Sequence, residues 1–272
     1  LGKLRNKGLE LTLNANIFKQ DNFEWSASST FSMNRRKIVT LYGDMENVLD
    51  NEGNVIGEKE SDDPTNGWFI GQDPDRIWAY ERLGVWQLGE EEQAAIYGCK
   101  PGDFKYKDQN GDGVMNTEDK VFQGYKTPRY RWSMRNDFTI HKNFTVSFTM
   151  YSYFGHYGAF NEAANYNGGS PYKFSSYDLP RWTKDNPTND YARISSYNAG
   201  TNWVKKSFLR LDNVSVSYNL PKSFLRKFAI QNMRLTLTAR NVAVLSPHWT
   251  FWDPENGSLS PRSFNLGINF TL

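Results

Sequence analysis

The run Asp108–Asp119 carries the densest set of oxygen ligands in the sequence. Its order, Asp-Gln-Asn-Gly-Asp-Gly-Val-Met-Asn-Thr-Glu-Asp, puts side-chain oxygens at positions one, three, five, nine and twelve of a twelve-residue loop, with Gly113 at the sharp turn. Such spacing is typical of a calcium loop, because calcium takes about six to eight oxygen ligands. The predicted ligands are the side-chain oxygens of Asp108, Asn110, Asp112 and Asp119, the backbone carbonyl of Val114, and Asn116, directly or through a water molecule.

Two features separate this loop from a helix-loop-helix calcium site. Position twelve is Asp119 and not the usual Glu, and the preceding run Phe104–Lys107 is predicted to be extended. A solvated Asn/Gly/Asp turn without an ion is the alternative. No general base, nucleophile or open coordination position accompanies the ligands, so a bound calcium ion is expected to stiffen the loop and not to catalyse a reaction.

Signatures of catalysis are absent from the sequence. It contains no G-x-S-x-G, H-E-x-x-H, P-loop or dinucleotide fingerprint. A glycosidase needs only two carboxylates, yet nothing nominates a pair, and Asp253-Pro-Glu255 is predicted to be a loop turn. One cysteine, Cys99, and three scattered histidines form neither a disulfide framework nor a zinc site. We therefore predict that the chain is not an enzyme.

The elements that position these residues alternate apolar and polar side chains, which is the pattern of strands with one apolar face. In the first run, Leu9, Leu11 and Leu13 alternate with Glu10 and Thr12. The predicted strands lie at 9–17, 23–33, 130–140, 144–154, 214–220, 233–239 and 264–272, with two weaker ones at 67–70 and 77–88. The sequence thus predicts an all-β, antiparallel fold of about nine strands.

The connections between the predicted strands alternate in length. Short turns are predicted at 19–22, 71–75, 141–143 and 221–231, and long loops at 34–66, 89–128, 155–206 and 243–261. Because antiparallel strands alternate in direction, every long loop falls at one end of the sheet. This asymmetry is typical of bacterial outer-membrane barrels, whose periplasmic turns are short and whose extracellular loops are long. A soluble β-sandwich is the alternative.

Three observations favour a transmembrane β-barrel. The longest alternating runs reach nine to eleven residues, which suffices to cross a bilayer at a tilt, whereas strands of soluble proteins usually end near about five or six. The polar faces are rich in Ser, Thr and Asn, as a wet lumen requires. Aromatic residues gather near strand ends, at Tyr130, Trp132, Tyr218 and Phe270. Since single-chain bacterial barrels have even strand counts, further strands are expected before Leu1.

Several ordered motifs resemble the C-terminal barrel region of SusC/RagA-type transporters, and the predicted domain is 1–272. They are 102–120 with the calcium-type loop, Gly124, Thr127-Pro128, Asn136-Asp-Phe to Lys142-Asn-Phe144, Asn6-Lys-Gly-Leu-Glu10, Ser207–Val214, Asn241, Asp253-Pro-Glu255 and Pro261–Phe264. The resemblance implies part of an outer-membrane barrel for nutrient uptake, with a plug, energy coupling through TonB, and a SusD-like surface lipoprotein that delivers oligosaccharides or peptides. The plug, the TonB box and the N-terminal extension are expected to lie outside this sequence.

The long extracellular loop 155–206 is the predicted place of contact with a ligand or with the lipoprotein. It is rich in Tyr and Trp, whose faces can stack on sugar rings or peptide side chains, and Tyr177 and Trp182 are the predicted contacts. A net charge of +2 with scattered basic residues argues against nucleic acid. Two functions stay open: an importer component surrounded by outer-membrane lipid, and a soluble or surface-attached glycan-binding β-sandwich protein with a calcium loop.

Overall fold

A computed structural model describes residues 2–160, 179–194, 196 and 202–272. The strands are β1 Lys3–Gln20, β2 Phe23–Thr40, β3 Met45–Leu49, β4 Val55–Glu60, β5 Arg76–Tyr80, β6 Arg82–Val85, β7 Phe104–Tyr106, β8 Lys120–Tyr125, β9 Tyr130–Ile140, β10 Phe144–Phe154, β11 Tyr157–Ala159, β12 Trp203–Lys205, β13 Phe208–Asn219, β14 Asn232–Leu245 and β15 Ser263–Thr271. The helices are α1 Glu91–Ile96 and α2 Lys222–Leu225, and 3-10 turns lie at Thr117–Asp119 and Arg226–Phe228.

Two compact units make up the chain. Unit 1 comprises Leu1–Arg5, Arg36–Lys126 and Tyr157–Val204, and unit 2 comprises Asn6–Arg35, Thr127–His156 and Lys205–Leu272. In unit 1 the strands form short two-stranded sheets, β3 with β4, β5 with β8, β6 with β7 and β11 with β12. Unit 2 carries the large sheet.

The large sheet has seven strands in the order β1-β2-β9-β10-β13-β14-β15, and these are the seven strongly alternating runs of the sequence. The prediction of nine strands is wrong for the two weaker runs. Residues 67–70 form only isolated bridges, at Trp68 and Ile70, and the run 77–88 contains most of β5 and all of β6, which pair with β8 and β7. The alternation in these two short runs is real, but it belongs to small sheets and bridges in the loops and not to strands of the large sheet.

Cross-strand register aligns the alternating side chains into rows, because directly opposed residues of an antiparallel sheet point to the same side. One apolar row is Phe23, Ile140, Phe144, Tyr218, Leu235 and Ile268, and the next is Trp25, Phe138, Val146, Val216, Leu237 and Leu266. The polar row between them is Glu24, Thr139, Thr145, Ser217, Thr236 and Gly267. We call these two sides of the sheet the apolar face and the polar face.

Strand β13 contains a bulge at Asp212. Its neighbour β10 pairs Thr149 with Asn213 and Met150 with Leu211, so Asp212 has no partner across the strands. One extra residue shifts the alternation by one position. Consequently Leu211 joins the apolar face, and Arg210 lies opposite Tyr151 on the polar face.

The connections of the large sheet keep the predicted asymmetry, except that 71–75 is not a short turn of this sheet and lies inside one long connection. Residues 21–22, 141–143 and 220–231 link strands at one end, and 41–129, 155–207 and 246–262 link them at the other. In the part of the chain that the structure describes, no helix is long and apolar enough to span a membrane. The described strands form one seven-stranded sheet and four two-stranded sheets, so the two large facing sheets of a sandwich are not found among them.

Candidate functional site

The predicted calcium loop lies in unit 1, between β7 and β8. Strand β7 confirms that the sequence before the loop is extended, and a 3-10 turn closes the loop at Thr117–Asp119. Asn116 caps that turn, because its Oδ1 accepts a hydrogen bond from the Glu118 amide at 2.7 Å. Asp119 completes the reciprocal arrangement by accepting the Asn116 amide at 2.8 Å, which satisfies two free N–H groups at the start of the turn.

Side chains of the loop hold its backbone in consecutive turns. Asp108 accepts the Gly111 amide at Oδ1 (2.6 Å) and the Gly113 amide at Oδ2 (2.8 Å). Asp112 Oδ1 accepts the Val114 amide at 2.8 Å. Short Asp and Asn side chains bind nearby backbone groups in this way, so the motif dictates its own local fold. Gly113 has φ of +79°, a conformation that favours glycine.

Asp119 closes the loop from inside. Its side chain is fully buried, and its Oδ1 accepts the amide of Gln109 at 2.8 Å, so the last residue of the loop binds the second. A buried carboxylate needs such partners, since leaving it unpaired is costly. The shorter Asp at position twelve is therefore matched to two backbone donors, at Gln109 and Asn116.

Negative charge from the loop concentrates around Tyr97. The Tyr97 hydroxyl donates to Asp108 Oδ2 at 3.2 Å. Burial raises the pKa of Tyr97, and the hydrogen bond with Asp108 and the charges of Asp119 and Asp112 raise it further. The amides of Gly113 and Gly111 and the Tyr97 hydroxyl hold the pKa of Asp108 below its usual range. The carboxylates of Asp108, Asp112 and Asp119 thus all raise the pKa of the Tyr97 hydroxyl group.

The predicted ligands keep free acceptor capacity for a cation, but their side chains are not arranged around a common point. A carboxylate offers about four lone-pair sites, so Asp108, Asp112 and Asp119 keep acceptor capacity beside their backbone donors. Within the described ranges, no group of three or more His, Cys, Asp or Glu side chains is arranged to hold a metal ion. The loop is closed by its own hydrogen bonds, and calcium binding stays a prediction.

Trp182 and Tyr177, the predicted ligand contacts, have different outcomes. Tyr177 lies outside the described residues. Trp182 is 7% exposed and packs in a hydrophobic core with Val85, Phe104 and Ala192. Its indole N–H donates to Gln87 Oε1 at 2.8 Å. The structure therefore gives Trp182 a packing role in unit 1, and its contact with a ligand stays a prediction.

Gly102 allows Trp182 to pack where it does. Gly102 has φ of +90°, and a Cβ placed on it would lie 2.5 Å from Trp182 Cε3. The Arg193 amide donates to the Gly102 carbonyl at 2.7 Å, and the Arg193 guanidinium pairs with buried Asp103 at 2.8 Å. The segment around Trp182 and Arg193 is therefore fixed against the turn that precedes β7.

We expect Gly102→Ala to loosen this core more than Gly89→Ala does. Both glycines have φ of +90°, so either alanine is strained by about 1–3 kcal/mol, but nothing lies within 4 Å of a Cβ at Gly89. The additional loss at Gly102 comes from the clash with Trp182. Hydrogen exchange of residues 82–106 in the full-length protein measures the difference. Equal exchange in the two variants would show that the contact between position 102 and Trp182 does not affect the stability of this core.

Unit 2 contains a buried ion pair that the sequence does not predict. Arg210 Nη2 donates to both carboxylate oxygens of Asp253, at 2.8 and 2.7 Å, and the two side chains are 4% and 5% exposed. Arg210 also donates to Asn241 Oδ1, and Tyr151 donates to Glu255 Oε2 at 2.5 Å. Burial tends to raise the pKa of Asp253, but the Arg210 hydrogen bond and others outweigh it and hold the pKa below its usual range.

This pair fixes the loop between β14 and β15 to β13. Asp253-Pro-Glu255 is a turn, as predicted, with the Gly257 amide bound to the Asp253 carbonyl at 2.9 Å. Removing one partner of a buried ion pair typically costs about 3–5 kcal/mol, so the loop depends on Arg210. An Arg close to an apolar run was the signal in the sequence, but its partner lies 43 residues away.

Comparison with known proteins gives relatives over the whole chain. No protein-family model matches it. "TonB-dependent receptor P26" of Formosa agariphila is 28% identical over 307 residues, covering 100% of this chain and 29% of that protein. "TonB-dependent receptor P3" of the same organism is 28% identical over 284 residues, covering 99% and 27%. The chain thus spans less than a third of the length of either relative.

Solved structures show the same fold. The RagAB peptide transporter matches with a TM-score of 0.68 at 20% identity, over 99% of this chain and 29% of that one. The RagAB peptide importer in its open-open state matches with a TM-score of 0.69 at 21% identity, over 100% and 29%. The predicted resemblance is confirmed. The predicted antiparallel β fold is also confirmed, and it matches part of a transporter barrel. The relatives are receptors and transporters and not enzymes, which agrees with the prediction that this chain is not an enzyme.

Proposed function

We propose that this chain forms part of the wall and mouth of a SusC/RagA-type, TonB-dependent importer in the outer membrane. The apolar face carries the proposal. Leu237 and Tyr218 are 50% and 40% exposed although β13 and β14 both have neighbours on each side. Continuous exposed apolar surface requires a cover, and only closed barrels and helices can be covered by lipid, because every backbone group must be paired. Similarity to receptors over the whole chain supports the same reading.

In this proposal the polar face lines the lumen, and the short connections are periplasmic. The long connections are extracellular and meet a SusD-like lipoprotein. Energy reaches the barrel through TonB and a plug encoded elsewhere in the full-length protein. The similar solved structures are described as a peptide transporter and importer, which favours peptides over oligosaccharides as the cargo.

Aromatic and basic side chains on the polar face are proposed to contact that cargo. Arg131 lies over the Tyr153 ring at 5.4 Å, and Tyr153 is 5.5 Å from the Tyr151 ring. Such a cluster can bind carboxylates and stack on apolar side chains. Tyr177 stays a proposed contact, whereas buried Trp182 would act by holding its loop in place.

Leu237→Arg is expected to destabilise the assembled barrel by about 2–4 kcal/mol, because it puts a charge into the hydrocarbon region. Thr238→Arg is the matched control, since Thr238 is adjacent in β14 but lies on the polar face opposite Ser215. Urea unfolding of the full-length protein in lipid vesicles measures both. Equal destabilisation by the two substitutions would contradict a lipid-facing apolar face.

Uptake by whole cells tests the import function. Cells that carry the full-length gene are expected to take up fluorescently labelled peptides, and to lose that uptake on deletion of the gene or of TonB. Labelled oligosaccharides serve as the control cargo. Loss of oligosaccharide uptake alone would reassign the cargo to glycans, and unchanged uptake of both would refute import.

We also propose that the loop Asp108–Asp119 binds calcium, with ligands Asp108, Asn110, Asp112, Val114, Asn116 and Asp119. The support is the ligand spacing and the three carboxylates that act on the Tyr97 hydroxyl. The ion would neutralise the carboxylates and stiffen the loop, with no catalytic role. The residues themselves hold the loop closed at the Asp119 carboxylate.

Terbium luminescence tests the calcium proposal, because Tyr97 lies beside the loop and can sensitise a bound terbium ion. Excitation of the full-length protein is expected to give terbium emission that calcium displaces and that Asp112→Ala abolishes. Asp50→Ala is the control, since Asp50 also binds turn amides, at Glu52 and Asn54, but belongs to no predicted site. Equal emission from the unchanged protein and from Asp112→Ala would contradict ion binding by this loop.

A further inference from the structure

The turn between β13 and β14 differs from the other connections at its end of the sheet. It contains α2 and the 3-10 turn Arg226–Phe228, whereas the other two connections have two and three residues. Pro221 starts the helical segment, because its carbonyl accepts the amides of Phe224 at 3.0 Å and Leu225 at 3.3 Å. Ala229, with φ of +54°, ends it. The turn is therefore an ordered element and not a simple reversal.

Its apolar side chains point in two directions. Leu225 is 1% exposed, and its carbonyl accepts the Ile230 amide at 3.3 Å, so this residue holds the turn in place. Phe224 and Phe228 are 50% and 59% exposed, with ring centroids 5.5 Å apart. Two adjacent aromatic rings are thus left uncovered by the described protein.

The charged side chains of this turn are all positive. Lys222, Arg226 and Lys227 lie in the turn, and all three are exposed. The sequence has no Asp or Glu between Asp212 and Asp253. A turn with exposed aromatic rings and only positively charged side chains is complementary to a negatively charged, partly apolar partner.

The turn continues the apolar face of the sheet. The Leu220 amide donates to the Met233 carbonyl at 2.9 Å, and Met233 pairs with Phe270, which is 61% exposed. Directly beyond this last apolar row the chain enters the turn with its aromatic rings and cations. Aromatic residues followed by Lys and Arg mark the level of lipid headgroups in membrane proteins.

We propose that this turn binds anionic phospholipid headgroups of the leaflet at the short-turn end of the barrel. The proposal rests on the proposed membrane function. Phe224 and Phe228 insert at the boundary between headgroups and acyl chains. The three cations bind the lipid phosphates. The turn then anchors β13 and β14 at a fixed depth in the bilayer.

A fluorescent label at Ser223→Cys tests the proposal in the full-length protein, with Cys99→Ser and any other cysteine replaced. The protein is placed in vesicles of phosphatidylcholine, with or without phosphatidylglycerol, that contain a spin-labelled lipid quencher. Quenching is expected to rise about twofold with phosphatidylglycerol, since each cation near an anionic surface is attracted to it. Phe224→Ser with Phe228→Ser should reduce quenching, and Lys222→Gln, Arg226→Gln and Lys227→Gln together should remove the effect of phosphatidylglycerol.

Two further label positions separate this inference from the membrane proposal. A label at Leu237→Cys reports the apolar face, and one at Asn22→Cys reports another turn at the same end. Quenching at Leu237 without quenching at Ser223 overturns the anchor alone. No quenching at Leu237 overturns the barrel. Quenching at Ser223 that ignores phosphatidylglycerol, or an equal response to it at Asn22, overturns recognition of anionic headgroups by this turn.

Discussion

Backbone hydrogen bonding between strands in a fixed register is the interaction on which the large sheet depends. Each strand has a period of two, so register decides which side chains share a face, and a slip of one residue would exchange them all. The rows that begin at Phe23 and at Trp25 stay apolar across six strands, and the row that begins at Glu24 stays polar. Register therefore converts alternation in single strands into two continuous surfaces of opposite character.

With the strand ends fixed, the loops have to supply their own packing. Unit 1 does so with a core built on Val85, Phe104 and Trp182, in which Gly102 gives the indole its space. In unit 2 the loop after β14 is held by the buried pair of Arg210 and Asp253. Both cases use contacts between distant parts of the sequence, so long loops become ordered structure without regular strands.

What could be predicted from sequence was whatever a short stretch of residues determines by itself. The seven strands of the large sheet carry their own alternation, and the turns in Asp108–Asp119 are made by its own Asp and Asn side chains. Contacts between distant segments could not be predicted. An aromatic residue in a loop has the same sequence signature whether it stacks on a ligand or packs in a core, so the burial of Trp182 was invisible. The ion pair of Arg210 depends on a register that no local pattern contains.

The bulge at Asp212 decides which residues of β13 lie on the apolar face and which lie on the polar face. On one side of it, Val214 and Val216 are apolar, and on the other side Leu211 is. If Asp212 were paired across the strands instead of bulged, the alternation would continue without a shift, and Arg210 would fall on the apolar face, away from Asp253. The unpaired residue therefore lets one strand keep Leu211, Val214 and Val216 on the apolar face and still place the Arg210 guanidinium on the polar face, where it binds the loop after β14.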